Sequence, residues 1–159
     1  MLAAHEPELF SWFRAGSWPS TFLPAFELVA AARRVGGLRA AEDVDHALRR
    51  RFFRHGADVS QRGELRRAAE DAGVDADLVL HVWQTQPVRA DVVADFERAQ
   101  ALSIQGSPQI FWPDGSTVHN PGMTDHSWER GLPRIHSTDP GAAERLLLQA
   151  VSSAPARPS

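Results

Sequence analysis

The chain has 159 residues, 43% of them hydrophobic, and a formal charge of −3 at pH 7, so it is sized for about one globular domain with a modest core. All 17 of its basic residues are arginine, and they are outnumbered by 20 acids, which removes the basic excess that phosphate binding requires; nucleic acid is not an expected partner. There is no cysteine at all, so this polypeptide offers no disulfide, no thiolate metal ligand and no redox or nucleophilic thiol.

Residues 1–20 read as an irregular lead-in, broken by Pro7 and Pro19 and rich in large apolar side chains (Phe10, Trp12, Phe13, Trp18). No apolar run approaches the roughly 18 residues of a membrane span, and Met1-Leu2-Ala3-Ala4-His5-Glu6 lacks the basic and apolar regions of a signal peptide. A cytoplasmic protein without a membrane partner is the expectation.

Ser20 or Thr21 can cap a first helix that tolerates Pro24 in its first turn, carries Phe22, Phe26 and Val29 on one face and stops at Gly36-Gly37. A second helix starts near Ala40, with Val44, Leu48 and Phe52 at four-residue spacing, Arg49, Arg50, Arg51 and Arg54 mostly outward, and Gly56 as its stop. Ser60 opens a third, bearing Leu65, Ala68, Ala69 and Ala72 and closed by Gly73. Asp75 and Asp77 begin a short fourth helix through Val82-Trp83, where carboxylates suit the positive end of the helix dipole. The segment Arg62 to Gln84 imitates a helix-turn-helix, but its second helix holds two aspartates and no arginine, which is wrong for approaching phosphates.

Pro87 begins a fifth helix whose apolar stripe is Val88, Val92, Phe96, Ala99 and Leu102. It runs into Gly106-Ser107-Pro108. Beyond that, Gln109-Ile110-Phe111-Trp112 and Ser116-Thr117-Val118-His119 flank Pro113-Asp114-Gly115, a strong hairpin turn. The unbroken apolar run Ile110-Phe111-Trp112 suits a strand buried on both faces within a sheet. A Pro-, Gly- and His-rich loop is expected from there to about Asp139, and a last helix over about 140–151 with Leu146, Leu147 and Val151. Residues 152–159 read as a disordered tail. Two strands alone are marginal in water, so the hairpin calls for further strands or covering helices.

The order of these segments carries a resemblance. A helical block, then Ala99-Gln100-Ala101-Leu102-Ser103-Ile104-Gln105-Gly106-Ser107-Pro108, then a hairpin and a terminal helix, resembles the DsbA-like branch of the thioredoxin superfamily. Within that branch the chain is most similar to FrnE-like dithiol oxidoreductases, relatives of the 2-hydroxychromene-2-carboxylate isomerases. Arg51 to Ser60, Leu65 to Asp75 and Val118-His119-Asn120-Pro121-Gly122 add matching stretches. The implied fold class is α/β, an incomplete thioredoxin-like (DsbA-type) fold. It forms one domain over 1–151, with a helical insertion at about 20–104, a cis-proline loop and hairpin at about 105–120 and a C-terminal helix at about 140–151.

The resemblance also implies a strand, a Cys-x-x-Cys motif opening a helix, and a second strand ahead of the insertion, and nothing in this sequence matches them. The family's catalytic cysteines therefore have no positions to be carried onto, and the expectation is a truncated or inactive thiol-disulfide oxidoreductase with no catalytic residues, cofactor or metal of its own. Gly106, Ser107 and Pro108 match the family's cis-proline loop. By resemblance they are the substrate-binding residues, with Ser107 presenting its backbone N–H and C=O to a peptide or a small thiol or disulfide. X-Pro is the bond type in which cis costs only about 0.5–1 kcal/mol relative to trans.

Two alternatives from other classes stand beside this reading. One is a thiol-cofactor-dependent isomerase or transferase, whose thiol comes from a bound small molecule. The other is a non-catalytic binding module that forms a homodimer through its exposed sheet edge. His119, Asp125 and His126 are one candidate metal set, at a spacing that matches no recognised ligand pattern, and His5 with Glu6 and Glu8 is a weaker one.

Overall fold

A computed structural model of the chain describes residues 18–104, 106, 108–112, 115–130 and 132–152. Residues before Trp18 and after Ser152, which include the expected lead-in aromatics Phe10, Trp12 and Phe13 and the tail, lie outside the described set, as does Ser107. Among the described residues, five helices and two antiparallel strand pairs make a mostly helical α/β fold. Where the sequence suggests a single domain, the chain groups into two compact units, one ending at Arg98 and the other starting at Ala99. The division falls inside the helical segment Val88–Ala101.

Helix α1 spans Leu23–His55 but is two helical segments in series. Gly36 (φ −132°, ψ 17°) and Gly37 (φ 73°, ψ −162°) leave helical geometry, in agreement with the break expected at that pair. Gly37 sits in a backbone region that essentially only glycine enters, because a Cβ meets the flanking peptide groups there. The Thr21 hydroxyl accepts the Leu23 N–H at 3.1 Å and so satisfies one of the unpaired donors at the helix start. At the other end Gly56 is left-handed (φ 60°), and the Ala57 N–H reaches back to the Arg51 carbonyl at 3.1 Å.

Helix α2 (Arg62–Asp71) and helix α3 (Ala76–Thr85) pack on α1 and on each other. Before α2, one Asp58 oxygen takes both the N–H and the hydroxyl of Ser60, and the other takes the Gln61 amide. Burial pushes the Asp58 pKa upward, but these hydrogen bonds outweigh it and hold the carboxyl below the ordinary aspartate value. Gly73 (φ 70°) ends α2, and Asp75 caps α3 by accepting the Leu78 N–H at 3.0 Å. The core follows the apolar spacing: Leu28, Val44, Leu65 and Val79 have no exposed surface, with Leu48 and Phe52 alongside. Ala31, Ala32, Ala47 and Ala68, all buried, let the helix axes approach closely.

Helix α4 (Val88–Ala101) departs from expectation. Of its apolar stripe only Val88 is buried; Phe96 is 61% exposed and Leu102 42%. Its start is held instead by polar contacts within the first unit. Arg34 makes a two-pronged pair with Asp91 at 2.8 Å for both bonds, which raises the arginine pKa and lowers the aspartate's. The buried Glu27 carboxylate accepts the Trp83 indole N–H at 3.1 Å and an Arg89 guanidinium N–H at 2.5 Å. The arginine run also behaves in a mixed way. Arg49 faces solvent and pairs with Asp45, whereas Arg51 is mostly covered and bonds Glu64 at 3.0 Å and Asp71 at 2.5 Å.

In the second unit, strands β1 (Gln109–Phe111) and β2 (Thr117–His119) form the expected hairpin, with Gln109 opposite His119 and Phe111 opposite Thr117. β1 pairs with β2 alone among the described residues, and Phe111 is 40% exposed, so the strand is not the doubly buried one that its apolar run suggests.

The loop expected up to Asp139 requires correction: it is a second hairpin, β3 (Met123–Glu129) with β4 (Leu132–Thr138). Both strands are short of apolar residues, and Pro133 in β4 removes a ladder donor, so the stretch carries little of the alternation that marks a strand. Arg130, with a left-handed φ of 52°, helps turn the chain between them. Helix α5 (Ala142–Ser152) closes the unit, burying Ala142 while Leu147, Leu148 and Val151 stay exposed. Among the described residues no helix is long and apolar enough to cross a membrane.

Candidate functional site

The end of α4 launches the loop that the sequence singles out. Ser103 turns left-handed (φ 51°), its N–H bonds the Gln100 carbonyl at 3.0 Å, and the Ile104 N–H reaches back to Ala99 at 3.2 Å. These bonds close the helix in the manner usually served by glycine and redirect the chain into Gly106 and Pro108.

Gly106 packs directly against the first hairpin. A Cβ built on it would lie 2.9 Å from Nε2 of His119, a separation that real Cβ atoms essentially never show. The absent side chain therefore makes room for the imidazole. The Asn120 side-chain amide nitrogen lies 3.2 Å from the same Nε2, and the Asn120 backbone N–H donates to the Pro108 carbonyl at 2.9 Å. Asn120 has a left-handed φ of 44°, a conformation that asparagine tolerates better than most residues. Gly106 and Pro108 are thus tied to the end of β2 through the pair His119-Asn120. Ser107, between them, lies outside the described residues.

Pro108 and His119 open onto a groove of about 970 Å³ within the second unit. Ile110 lines it from β1, His126, Trp128 and Ile135 from the second hairpin, and Leu146 from α5. Size and lining are those of a small-molecule or peptide-side-chain site, since such pockets usually occupy about 300–1,000 Å³ and are mainly apolar. Among the described residues Asp139 is its one lining acid, and both carboxylate oxygens are engaged, Oδ1 by the Gly141 N–H at 3.0 Å and Oδ2 by Arg145. Among the described residues no arginine lines the groove, while His119 and His126 do.

Of the candidate metal set, His119 is committed to Gly106 and Asn120, and His126 lies edge-on to Trp128 with ring centroids 6.4 Å apart. Among the described residues no three histidine, aspartate or glutamate side chains converge as a metal cluster would require. The first unit has its own groove of about 740 Å³ along α1 and α4, but its Arg34 and Asp91 neutralise each other.

Sequence reasoning found Gly106 and Pro108 and missed what surrounds them. In the sequence His119 stands out as a weak metal ligand and as part of the matching stretch Val118 to Gly122, not as a partner of Gly106. Its role as the packing partner of Gly106 has no local signal, because the contact is made by how the loop before β1 lies against the end of β2. Trp128 and Ile135 could be recognised as lining residues only with the second hairpin in view.

A helical block leading through a glycine-proline loop into an antiparallel hairpin and a final helix defines a thioredoxin-like protein with a large helical insertion. The chain belongs to the DSBA-like thioredoxin domain family, whose sequence model matches residues 17–126, more than half its length. No curated protein matches the chain in sequence.

Proposed function

We propose that this protein is a FrnE-like member of the family in which Gly106, Ser107 and Pro108, braced by His119 and Asn120, form the substrate-holding face of a thiol-disulfide exchange site. The observation that carries this reading is the bracing itself. The Pro108 carbonyl is occupied by the Asn120 N–H and the imidazole fills the space beside Gly106, which fixes the two described residues of the loop at the rim of the groove, where by the resemblance the loop presents a backbone donor and acceptor. An extended peptide, or a small thiol or disulfide, supplies the complementary donor and acceptor.

Exchange itself needs a thiolate attacking a disulfide sulfur, and the chain has no cysteine, so its own residues bind and orient but do not react. The proposal is tested by titrating isotope-labelled protein with a short acetylated, amidated peptide containing one internal disulfide. Saturable shifts are expected at the amides of Gly106, Ile110 and His119, with binding weakened about tenfold, or about 1.4 kcal/mol, by Pro108→Ala. Absence of saturable shifts at those three amides would refute it.

A further inference from the structure

A smaller cleft, of about 370 Å³, lies wholly within the first unit, where the end of α3 and the start of α4 meet Glu27 of α1 and Arg62 of α2. Among the described residues its one acid is Glu27, which is 5% exposed and has both oxygens taken, Oε2 by the Trp83 indole N–H and Oε1 by Nε of Arg89. Its donors are in surplus. Arg89 meets Glu27 through Nε, and its two terminal nitrogens have no partner among the described residues. Arg62 has no carboxylate partner among them either. With the Gln84 amide turned so that its carbonyl faces the guanidinium, that oxygen accepts from Nε of Arg62 at 3.2 Å and from Nη2 at 3.0 Å, and Nη1 stays open. Gln86 accepts from Arg34 through Oε1 at 3.0 Å, so what it still offers the cleft is its amide nitrogen, a donor.

We propose that this cleft binds a carboxylate, that of a small organic acid or of a peptide C-terminus, held by the guanidinium groups of Arg62 and Arg89. Two arginines and one glutamate give the lining one net positive charge, with no histidine to add to it, in a chain whose overall charge is −3. One excess positive charge balances a carboxylate and leaves half of a phosphate dianion uncompensated. The planar fork of arginine donors matches the two oxygens of a carboxylate, and such charge-assisted bonds are stronger than those between neutral groups. Glu27, itself fixed by Trp83, holds the Arg89 guanidinium in place before a ligand arrives, which lowers the cost of ordering it. The cleft shares no residue with the groove at Pro108, so its ligand is independent of the role proposed for that loop.

The test uses the full isotope-labelled chain at constant ionic strength and follows the Trp83 indole N–H while N-acetylglycine, or the matching amide N-acetylglycinamide, is added. N-acetylglycine is expected to shift that signal saturably and to bind at least about tenfold more tightly than the amide. Arg62→Gln should weaken its binding about tenfold and Arg62→Lys about threefold, since lysine keeps the charge but not the fork. Arg50→Gln, the same change of charge at an exposed arginine outside the cleft, should leave binding as it was. Both arginines are exposed, so the variants are expected to keep the wild-type circular dichroism. An acetylated tripeptide with a free C-terminus that binds as tightly as N-acetylglycine assigns the carboxylate to a chain end, and weaker binding assigns it to a small free acid; either result upholds the site. No saturable shift at Trp83, an equal response to acid and amide, an equal loss in Arg50→Gln and Arg62→Gln, or tighter binding of inorganic phosphate than of N-acetylglycine overturns it.

Discussion

Gly37 is where the backbone of α1 makes its most specific demand, and a single methyl group measures it. At φ 73° and ψ −162° the residue lies in a region reserved for glycine, and a Cβ built there meets nothing within 4 Å. Gly37→Ala therefore carries no packing penalty, and its cost is backbone strain of about 1–3 kcal/mol. The narrower unfolded ensemble of alanine offsets about 0.4–1 kcal/mol of that. A net loss of about 1–2 kcal/mol is expected, five- to thirtyfold in the folding equilibrium.

Gly63 supplies the internal control. It lies in α2 with no positive φ and with nothing within 4 Å of its Cβ, so Gly63→Ala should gain about 0.5–1 kcal/mol. Gly37→Asn should be no better than Gly37→Ala, because asparagine tolerates the left-handed helical region near ψ +47° and not ψ −162°. Urea denaturation followed by circular dichroism at constant m reads all three. If Gly37→Ala proves as stable as wild type while Gly63→Ala gains as expected, the break is dispensable and α1 can straighten into one helix, which would refute the reasoning.

Leu65→Ala removes a side chain with no exposed surface at the meeting of α1 and α2, and a loss of about 2–5 kcal/mol is expected in the same urea assay. Asp58 and Asp91 both have folded pKa values held below the ordinary aspartate value, so the stability they contribute is present above the unfolded value of about 3.9 and is lost as pH falls through the folded one. Urea midpoints measured from pH 7 down to pH 2 should therefore fall off below about pH 4, and Asp58→Ala should lower the neutral plateau and make that acid limb shallower. With β1 paired on one side only among the described residues, concentration-dependent light scattering is expected to show a dimer, and Phe111→Lys, which places a charge at that strand, should shift it toward monomer. In an insulin-reduction assay the chain alone should give no turnover above buffer, since it lacks a thiolate.

The first unit was legible in the sequence because its signals are local. Val44, Leu48 and Phe52 repeat at helical spacing, Asp75 caps where a cap is needed, and Gly36-Gly37, Gly56 and Gly73 fall at the ends of helical segments. The first hairpin was legible for the same reason, through Pro113-Asp114-Gly115 between Gln109 to Trp112 and Ser116 to His119. The second hairpin was not. Met123 to Glu129 and Leu132 to Thr138 mix polar residues, a proline and single aromatics, and their pairing is made by backbone hydrogen bonds that every residue but proline can donate, whatever its side chain.

By itself the sequence determined where most helices start and stop, that a glycine and a proline lie between the fifth helix and the first hairpin, and that no thiol chemistry can come from these residues. These follow from the properties of single side chains: a missing Cβ, a missing N–H, a missing sulfur. What only the tertiary structure decided is which residues meet at that joint. His119 fills the space that Gly106 leaves, Asn120 takes up the Pro108 carbonyl, and Trp128 and Ile135 line the same groove as Pro108. Those meetings join positions 12 to 29 residues apart along the chain, and strand register, which local composition leaves open, sets which side chains face one another.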